Sequence, residues 1–212
     1  FYSVLPAALA DTRLYGAELD SVTGRIAKQL YPNADISVMG YEATRFEDNS
    51  FDGIIGNIPF NSIKVYDGRY DKLDFMIHDY FIAKSLDLAK PGGIIAFITS
   101  KGTLDKTDET VRKYIAERAE FIGAVRLPNT AFKALAGTEV TADILFLKKR
   151  DHMIELSNDV LPAWVETGMD RTKYIRYNRY FMEHPEMALG EIQASKNMYG
   201  REDGTACIAP EG

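Results

Sequence analysis

Asn57-Ile58-Pro59-Phe60 is the stretch of this chain whose residue types could do chemistry together. It follows Phe51 to Gly56, a short run with a fully apolar centre that reads as a strand of a parallel sheet covered on both faces. Where that strand ends there stand an amide side chain, a backbone carbonyl held by the fixed φ of the next proline, and an aromatic face. Such a group can accept hydrogen bonds from a planar amine and stack on the ring that carries it. Without its neighbours, the same tetrapeptide also reads as an Asn-containing turn that ends a strand. Two carboxylates are placed comparably: Glu18 closes the apolar run Leu14 to Glu18, and Glu42 follows the run Ile36 to Met39 after Gly40-Tyr41. Taken alone, Glu18 is equally readable as a helix-capping acid beside Asp20 and Ser21. A single cysteine, Cys207, excludes an intramolecular disulfide and a cysteine-rich zinc cluster. His78, His152 and His184 lack metal-ligand spacing, so no structural metal is expected.

The elements that must position these groups follow from periodicity. Strands are expected at Leu14 to Glu18, Ile36 to Met39, Phe51 to Gly56, Ile94 to Thr99, Phe121 to Arg126 and Thr141 to Lys148. Between them lie a helix from Ser21, in which Val22, Ile26, Ala27 and Leu30 share a face, a helix from Asp74 to Ala89, and one from about Thr107 to Arg118. Strands alternate with helices except at the end, where two strands are joined without one. This predicts a doubly wound, mostly parallel α/β sheet with one antiparallel strand near the C-terminal end of its core. Ligands of such sheets bind beyond the carboxyl ends of the strands, where Glu18 and Asn57 sit. The rhythm fades after residue 150. The domain reading is a catalytic core over residues 1–150 and an appendage or linker over 151–212, with modest helical patterning near Tyr177 to Leu189.

The 212 residues, 46% of them hydrophobic, suffice for one domain plus an appendage. No stretch reaches the roughly 18 apolar residues of a membrane span, and no signal segment opens the chain, so a cytoplasmic protein is expected. A net charge of −6 argues against a surface that is everywhere a nucleic-acid glove, while leaving room for a local basic face. Lys101, Lys106, Arg112, Lys133, Lys148, Lys149 and Arg150 are candidates for that face, each also readable as a solvated charge. Phe1 to Leu9 reads as the middle of an element, which predicts a fragment.

The tetrapeptide, with its neighbours, resembles the amino-methyltransferases, whose hallmark is Asn or Asp, usually Pro, then Pro, then Tyr or Phe. Tyr15-Gly16-Ala17-Glu18-Leu19-Asp20 is similar to the family's second cofactor motif, and Lys90-Pro91-Gly92-Gly93-Ile94-Ile95-Ala96-Phe97 to its turn before the fifth strand. Arg126-Leu127-Pro128-Asn129-Thr130-Ala131-Phe132 resembles a loop of the adenine-specific members. The resemblance covers residues 1–150 and implies a Rossmann-like fold, S-adenosylmethionine as cofactor, and methylation of the exocyclic amine of a flipped adenine in DNA. It makes Asn57 and the Ile58 carbonyl the amine acceptors, Pro59 the rigid element and Phe60 the stacking face. Ile58 departs from the family's proline. Glu18 would hold the ribose hydroxyls, Glu42 the cofactor adenine, and Phe1 would end the glycine-rich cofactor loop, with Tyr2 to Ala10 the helix after it. Phe132 would wall the base opposite Phe60, and Lys101 would belong to the DNA-facing rim. The first strand and that loop are missing by this comparison, so the fragment alone is expected to bind cofactor poorly and to be inactive. Methylation of RNA bases or of a protein glutamine amide uses the same tetrapeptide, and a non-catalytic binding scaffold is the remaining alternative. The overall pattern most resembles methyltransferase domains of large mobile-element and phage proteins, where a helicase-like region follows in the same polypeptide.

Overall fold

The structure is a computed structural model that describes residues 1–157, 159–195 and 204–210. Its first ten residues form two single 3-10 turns, Tyr2–Val4 and Ala7–Leu9, in place of the expected helix. Pro6 explains the break: it lacks an N–H and holds Leu5 in extended backbone, ψ 127°.

β1 (Tyr15–Glu18) runs parallel to β2 (Asp35–Val38), with Glu18 opposite Val38 at their ends. Between them lies α1 (Ser21–Leu30), started by Asp20, whose Oδ1 accepts from the Thr23 N–H at 2.7 Å. The apolar stripe of α1 is not its buried face. Val22, Ile26 and Leu30 are 53%, 54% and 66% exposed, whereas Gly24 lies against β2. A Cβ on Gly24 would come within 2.7 Å of Val38 Cγ2, so glycine permits this approach.

Four more strands form one sheet in the order β3-β4-β6-β5, built from Phe51–Asn57, Ala89–Ser100, Ala142–Lys149 and Ala119–Leu127 respectively. β3 and β4 are parallel, and β6 is antiparallel to both β4 and β5. The one reversed strand expected near the end of the core is therefore β6. The expectation that β3 is covered on both faces is corrected: it is an edge strand whose Ile54 packs on the core while Ile55, on the opposite face, is 61% exposed. Strand β4 begins earlier than expected and runs through the Lys90-Pro91-Gly92-Gly93 turn, which survives as a kink with Gly92 at φ 78° and a register shift opposite Phe51/Gly53. α2 (Ile77–Leu88) and α4 (Thr110–Arg118) bury Ile82, Leu86, Ile115 and Ala116 in the same cluster as Ile95, Phe97, Leu145 and Leu147 of the sheet. Short α3 (Gly102–Asp105) follows β4, and α5 (Lys133–Ala136) follows β5.

Beyond residue 150 the chain forms a hairpin of β7 (Thr167–Asp170) and β8 (Ile175–Asn178), then α6 (Arg179–Glu183), and an antiparallel pair of β9 (Glu191–Ser195) with β10 (Gly204–Ile208). The helical patterning read over Tyr177 to Leu189 resolves into the end of β8, α6 and a 3-10 turn at Pro185–Met187. Trp164, Val165, Ile175, Tyr177, Phe181 and Ile192 join the core cluster of the sheet. Residues 158, 196–203 and 211–212 of this segment lie outside the described residues. Among the described residues, no helix is long and apolar enough to cross a membrane.

Candidate active site

Register fixes what stands together. Asn57 pairs with Ile98, Ile98 with Ile144, and Ile144 with Val125, so one row crosses the four-stranded sheet. Because β3, β4 and β5 point the same way, Asn57, Ser100 and Leu127 all close strands at one end of the sheet. Asn57 is exposed there, Ile58 is 3% exposed, Pro59 is exposed and Phe60 is half-buried. The Ile58 N–H donates to the Ile98 carbonyl at 3.0 Å, extending the β3–β4 ladder by one residue, while its side chain joins the core. Burial and a ladder hydrogen bond thus supply at Ile58 the fixity that proline would supply through φ. Among the described residues, neither the Asn57 side chain nor the Ile58 carbonyl makes a hydrogen bond. Two uncommitted acceptors on consecutive residues are held at a strand end.

The loop after Phe60 leads to α2, whose buried first turn carries His78 and Asp79. Lys106, just past α3, donates to Asp79 Oδ2 and lies 3.3 Å from His78 Nε2. Burial depresses the His78 pKa, with Asp79 and the Asn61 carbonyl acting the other way. Further along α2, buried Lys84 donates to the carbonyls of Tyr41 (2.8 Å) and Glu42 (3.3 Å) and to Asp67 Oδ2 (3.3 Å). Tyr41, its hydroxyl pushed up to about 12 by burial, bonds Ser85 at 2.8 Å. His78 and Lys84 are about two turns apart, ~9 Å along the axis. One helix therefore meets both the loop after Phe60, whose Ile63 carbonyl accepts from the Ile77 N–H at 2.9 Å, and the 3-10 turn Tyr41–Ala43 that bears Glu42.

Glu18 is half-buried at the end of β1, with Oε1 accepting from the Asp20 N–H at 2.9 Å. The Glu42 carboxylate folds back over Gly40, occupying the place a Cβ there would fill, 2.0 Å from Oε1. A carboxylate at the end of β1 and another in the 3-10 turn that follows its parallel neighbour β2 suit the hydroxyls and amine of a nucleoside, so the residues present fit the nucleoside half of S-adenosylmethionine. Phe1 is 61% exposed at the head of the first 3-10 turn.

Phe132 is half-buried in the loop after β5 and, among the described residues, makes no ring contact with Phe60. Half-buried Lys101 follows β4 and donates to Thr205 Oγ1 of β10 at 2.9 Å. Several members of the expected basic rim are committed elsewhere. Arg112 is fully buried, donating to the Val165 carbonyl at 2.6 Å, so its assignment to a surface rim is corrected. Lys149 and Arg150 donate to the carbonyls of Leu86 and Ala116, near the ends of α2 and α4, as cations at helix C-termini do. The pairing of His78, Asp79 and Lys106 is not visible in the sequence, where the only signal is a His-Asp pair opening the helix after the tetrapeptide.

The chain is 30% identical over 155 residues to Defense against restriction protein B of Escherichia phage P1, an alignment covering 70% of this chain and 7% of that protein. Its fold is that of the type I restriction enzyme EcoKI M protein, with TM-score 0.55 at 16% identity over 71% of this chain and 35% of the other. A Listeria monocytogenes protein described as a class I S-adenosylmethionine-dependent methyltransferase shares it too, with TM-score 0.52 at 21% identity over 70% and 48%. Residues 13–132, more than half of the sequence, match the Eco57I restriction-modification methylase family, and the chain belongs to that family.

Proposed function

We propose that the protein containing this chain transfers a methyl group to the exocyclic amine of adenine in DNA, at the loop Asn57–Phe60. The observation that carries the reading is the pair of acceptors, the Asn57 side-chain oxygen and the Ile58 carbonyl, that make no hydrogen bond among the described residues and stand at the exposed end of the edge strand β3. An amine conjugated to a purine is a poor nucleophile because its lone pair is delocalised into the ring. Accepting both of its hydrogens favours a more tetrahedral nitrogen, with the lone pair turned toward the methyl group. Bound S-adenosylmethionine supplies that methyl group on a positively charged sulfur. Glu18 and Glu42 are assigned to its nucleoside, Phe60 to stacking on the target base, and Phe132 and Lys101, from the neighbouring strand ends, to the base and its strand.

In a duplex, the adenine must be flipped out at a cost of about a few kcal/mol, offset by stacking and amine hydrogen bonds in the pocket. A nucleobase is favoured over a glutamine amide because a small amide needs no second aromatic wall such as Phe132. As in the large proteins it resembles, the chain is proposed to work beside a helicase-like region of the same polypeptide. We also propose that residues 1–212 alone bind cofactor weakly, since β1 and β3 each leave one edge unpaired among the described residues. Titration should show no tight binding by this chain; sub-micromolar affinity contradicts it. For the substrate, the whole protein is incubated with tritiated cofactor and DNA, RNA or protein, and labelled DNA is digested to nucleosides. Label in N6-methyldeoxyadenosine is expected; label confined to RNA, protein or a cytosine product overturns the adenine assignment.

A further inference from the structure

Three polar atoms are buried without a hydrogen-bond partner among the described residues, and two of them, His78 Nδ1 and Asp79 Oδ1, lie in the first turn of α2, beside the proposed acceptor loop. Their surroundings determine what they can do. The Lys106 ammonium has only donors, and it lies 3.3 Å from His78 Nε2 while also donating to Asp79 Oδ2. Nε2 must therefore present its lone pair to Lys106. The alternative tautomer, with Nε2–H turned to Asp79 Oδ1 at 3.4 Å, would set one N–H against another. Lys106 thus decides the tautomer, and the ring proton resides on Nδ1.

That proton has one notable neighbour. The Asn61 carbonyl acts on the ring as a backbone hydrogen-bond acceptor and favours its charged form, yet Nδ1 makes no bond of normal geometry. Asn61 directly follows Phe60. The loop is held against the first turn of α2 by the Ile77 N–H, which donates to the Ile63 carbonyl at 2.9 Å, so a buried ring donor with no partner stands beside it, and with Nε2 taken by Lys106 the nitrogen left for a loop carbonyl is Nδ1.

On the methyltransferase reading above, we propose that His78 is a positioning residue: its Nδ1–H engages the Asn61 carbonyl when the target amine is gripped, fixing the backbone of Asn57–Phe60 for transfer. Lys106 and Asp79 hold the ring in the donating tautomer. The tie continues inward, because Asp105, next to Lys106, accepts from Arg126 at 3.0 and 2.9 Å, and Arg126 also grips Asp143 on β6. The charged groups facing the site are Asp79 on the same helix, Lys106 after α3, and Arg112 on α4, which acts on Asp79; Asp108 acts in turn on Lys106. Protonation of Nε2 would turn it against the Lys106 ammonium and free the ring. Burial keeps the His78 pKa below its ordinary value of 6.5, so the neutral ring prevails at pH 7 and is lost as the pH falls through the depressed value.

The test compares His78→Asn with His78→Gln in the whole protein. An asparagine amide nitrogen can stand where Nδ1 stands, whereas glutamine reaches the Nε2 position and leaves Nδ1 unreplaced. Single-turnover methyl transfer is expected to fall about tenfold to a hundredfold in His78→Gln, with cofactor affinity unchanged. His78→Asn should keep most of the rate and lose the acid limb of its pH profile. Equal rates in the two variants, or an unchanged acid limb in His78→Asn, overturn the proposal. If the wild-type protein transfers no methyl group, the adenine reading fails by itself. Amide hydrogen exchange of residues 57–63 then decides, faster in His78→Gln than in His78→Asn if His78 holds the loop, and equal in both if it does not.

Discussion

Ile58 shows how a backbone position can be fixed without a proline. Proline at this place would hold the backbone through its ring; isoleucine holds it through a ladder hydrogen bond to Ile98 and a buried side chain. Ile58→Pro, which restores the commoner family pattern, should therefore destabilise the protein by about 2–4 kcal/mol, since it deletes the N–H and leaves core volume unfilled. Urea denaturation checks this, and an equal or higher midpoint would show that the ladder bond contributes nothing. The place of Asn57 at a strand end was legible in the sequence because a strand end needs only an apolar run before it. The surroundings of the charges were not legible. Arg112 reads as a rim residue because a sequence shows charge and hides burial, and only the packing of α4 against Val165 reveals its partner; the bond of half-buried Lys106 to Asp79 is hidden in the same way.

At the scale of elements, α2 is the connection between the two halves of the proposed site. Lys84 on this helix grips the carbonyls of Tyr41 and Glu42, and burial lowers its pKa while Asp67 pulls the other way. Lys84→Met removes those bonds but keeps an apolar stem in place, so the Glu42 turn loses its anchor. Cofactor affinity should fall about tenfold, as expected for losing a charge-assisted bond, with little effect on the transfer step once cofactor is bound. Calorimetric titration alongside single-turnover rates separates the two; a lowered rate at unchanged affinity would place Lys84 elsewhere in the mechanism. The helix itself was readable from its periodicity, within a few residues of its start. Its role was not, because the partners of Lys84 come from a turn far away in the chain. The stripe on α1 shows the converse: the shared face of Val22, Ile26 and Leu30 was readable, but which face is buried is set by the close approach of Gly24 to Val38.

For the whole molecule, the organising feature is Arg126. It is fully buried, bonded to Asp105 and Asp143, with its guanidinium 4.2 Å from the centre of the Phe181 ring in α6. Asn178, at the start of α6, donates to the carbonyls of Leu104 and Trp164, and its N–H reaches Asp105. The described part of residues 151–212 is thereby fastened to the sheet through the same carboxylate that neighbours Lys106. Arg126→Met would leave two buried carboxylates without their cation, so a loss of about 3–5 kcal/mol is expected in chemical denaturation. A loss under about 1 kcal/mol would mean that the buried ion cluster is dispensable. The fading strand-helix rhythm after residue 150 concealed this attachment, since its anchors are single polar residues and a few aromatics with no period.

The central claim is that the Asn57 side-chain oxygen readies the target amine, and the most direct measurement is single-turnover methyl transfer to DNA by the whole protein carrying Asn57→Ala. Because the amide is exposed and uncommitted, the variant should fold and bind cofactor as the wild type does, yet transfer about a hundredfold to a thousandfold more slowly. A rate equal to that of the wild type, at equal cofactor affinity, would contradict the account.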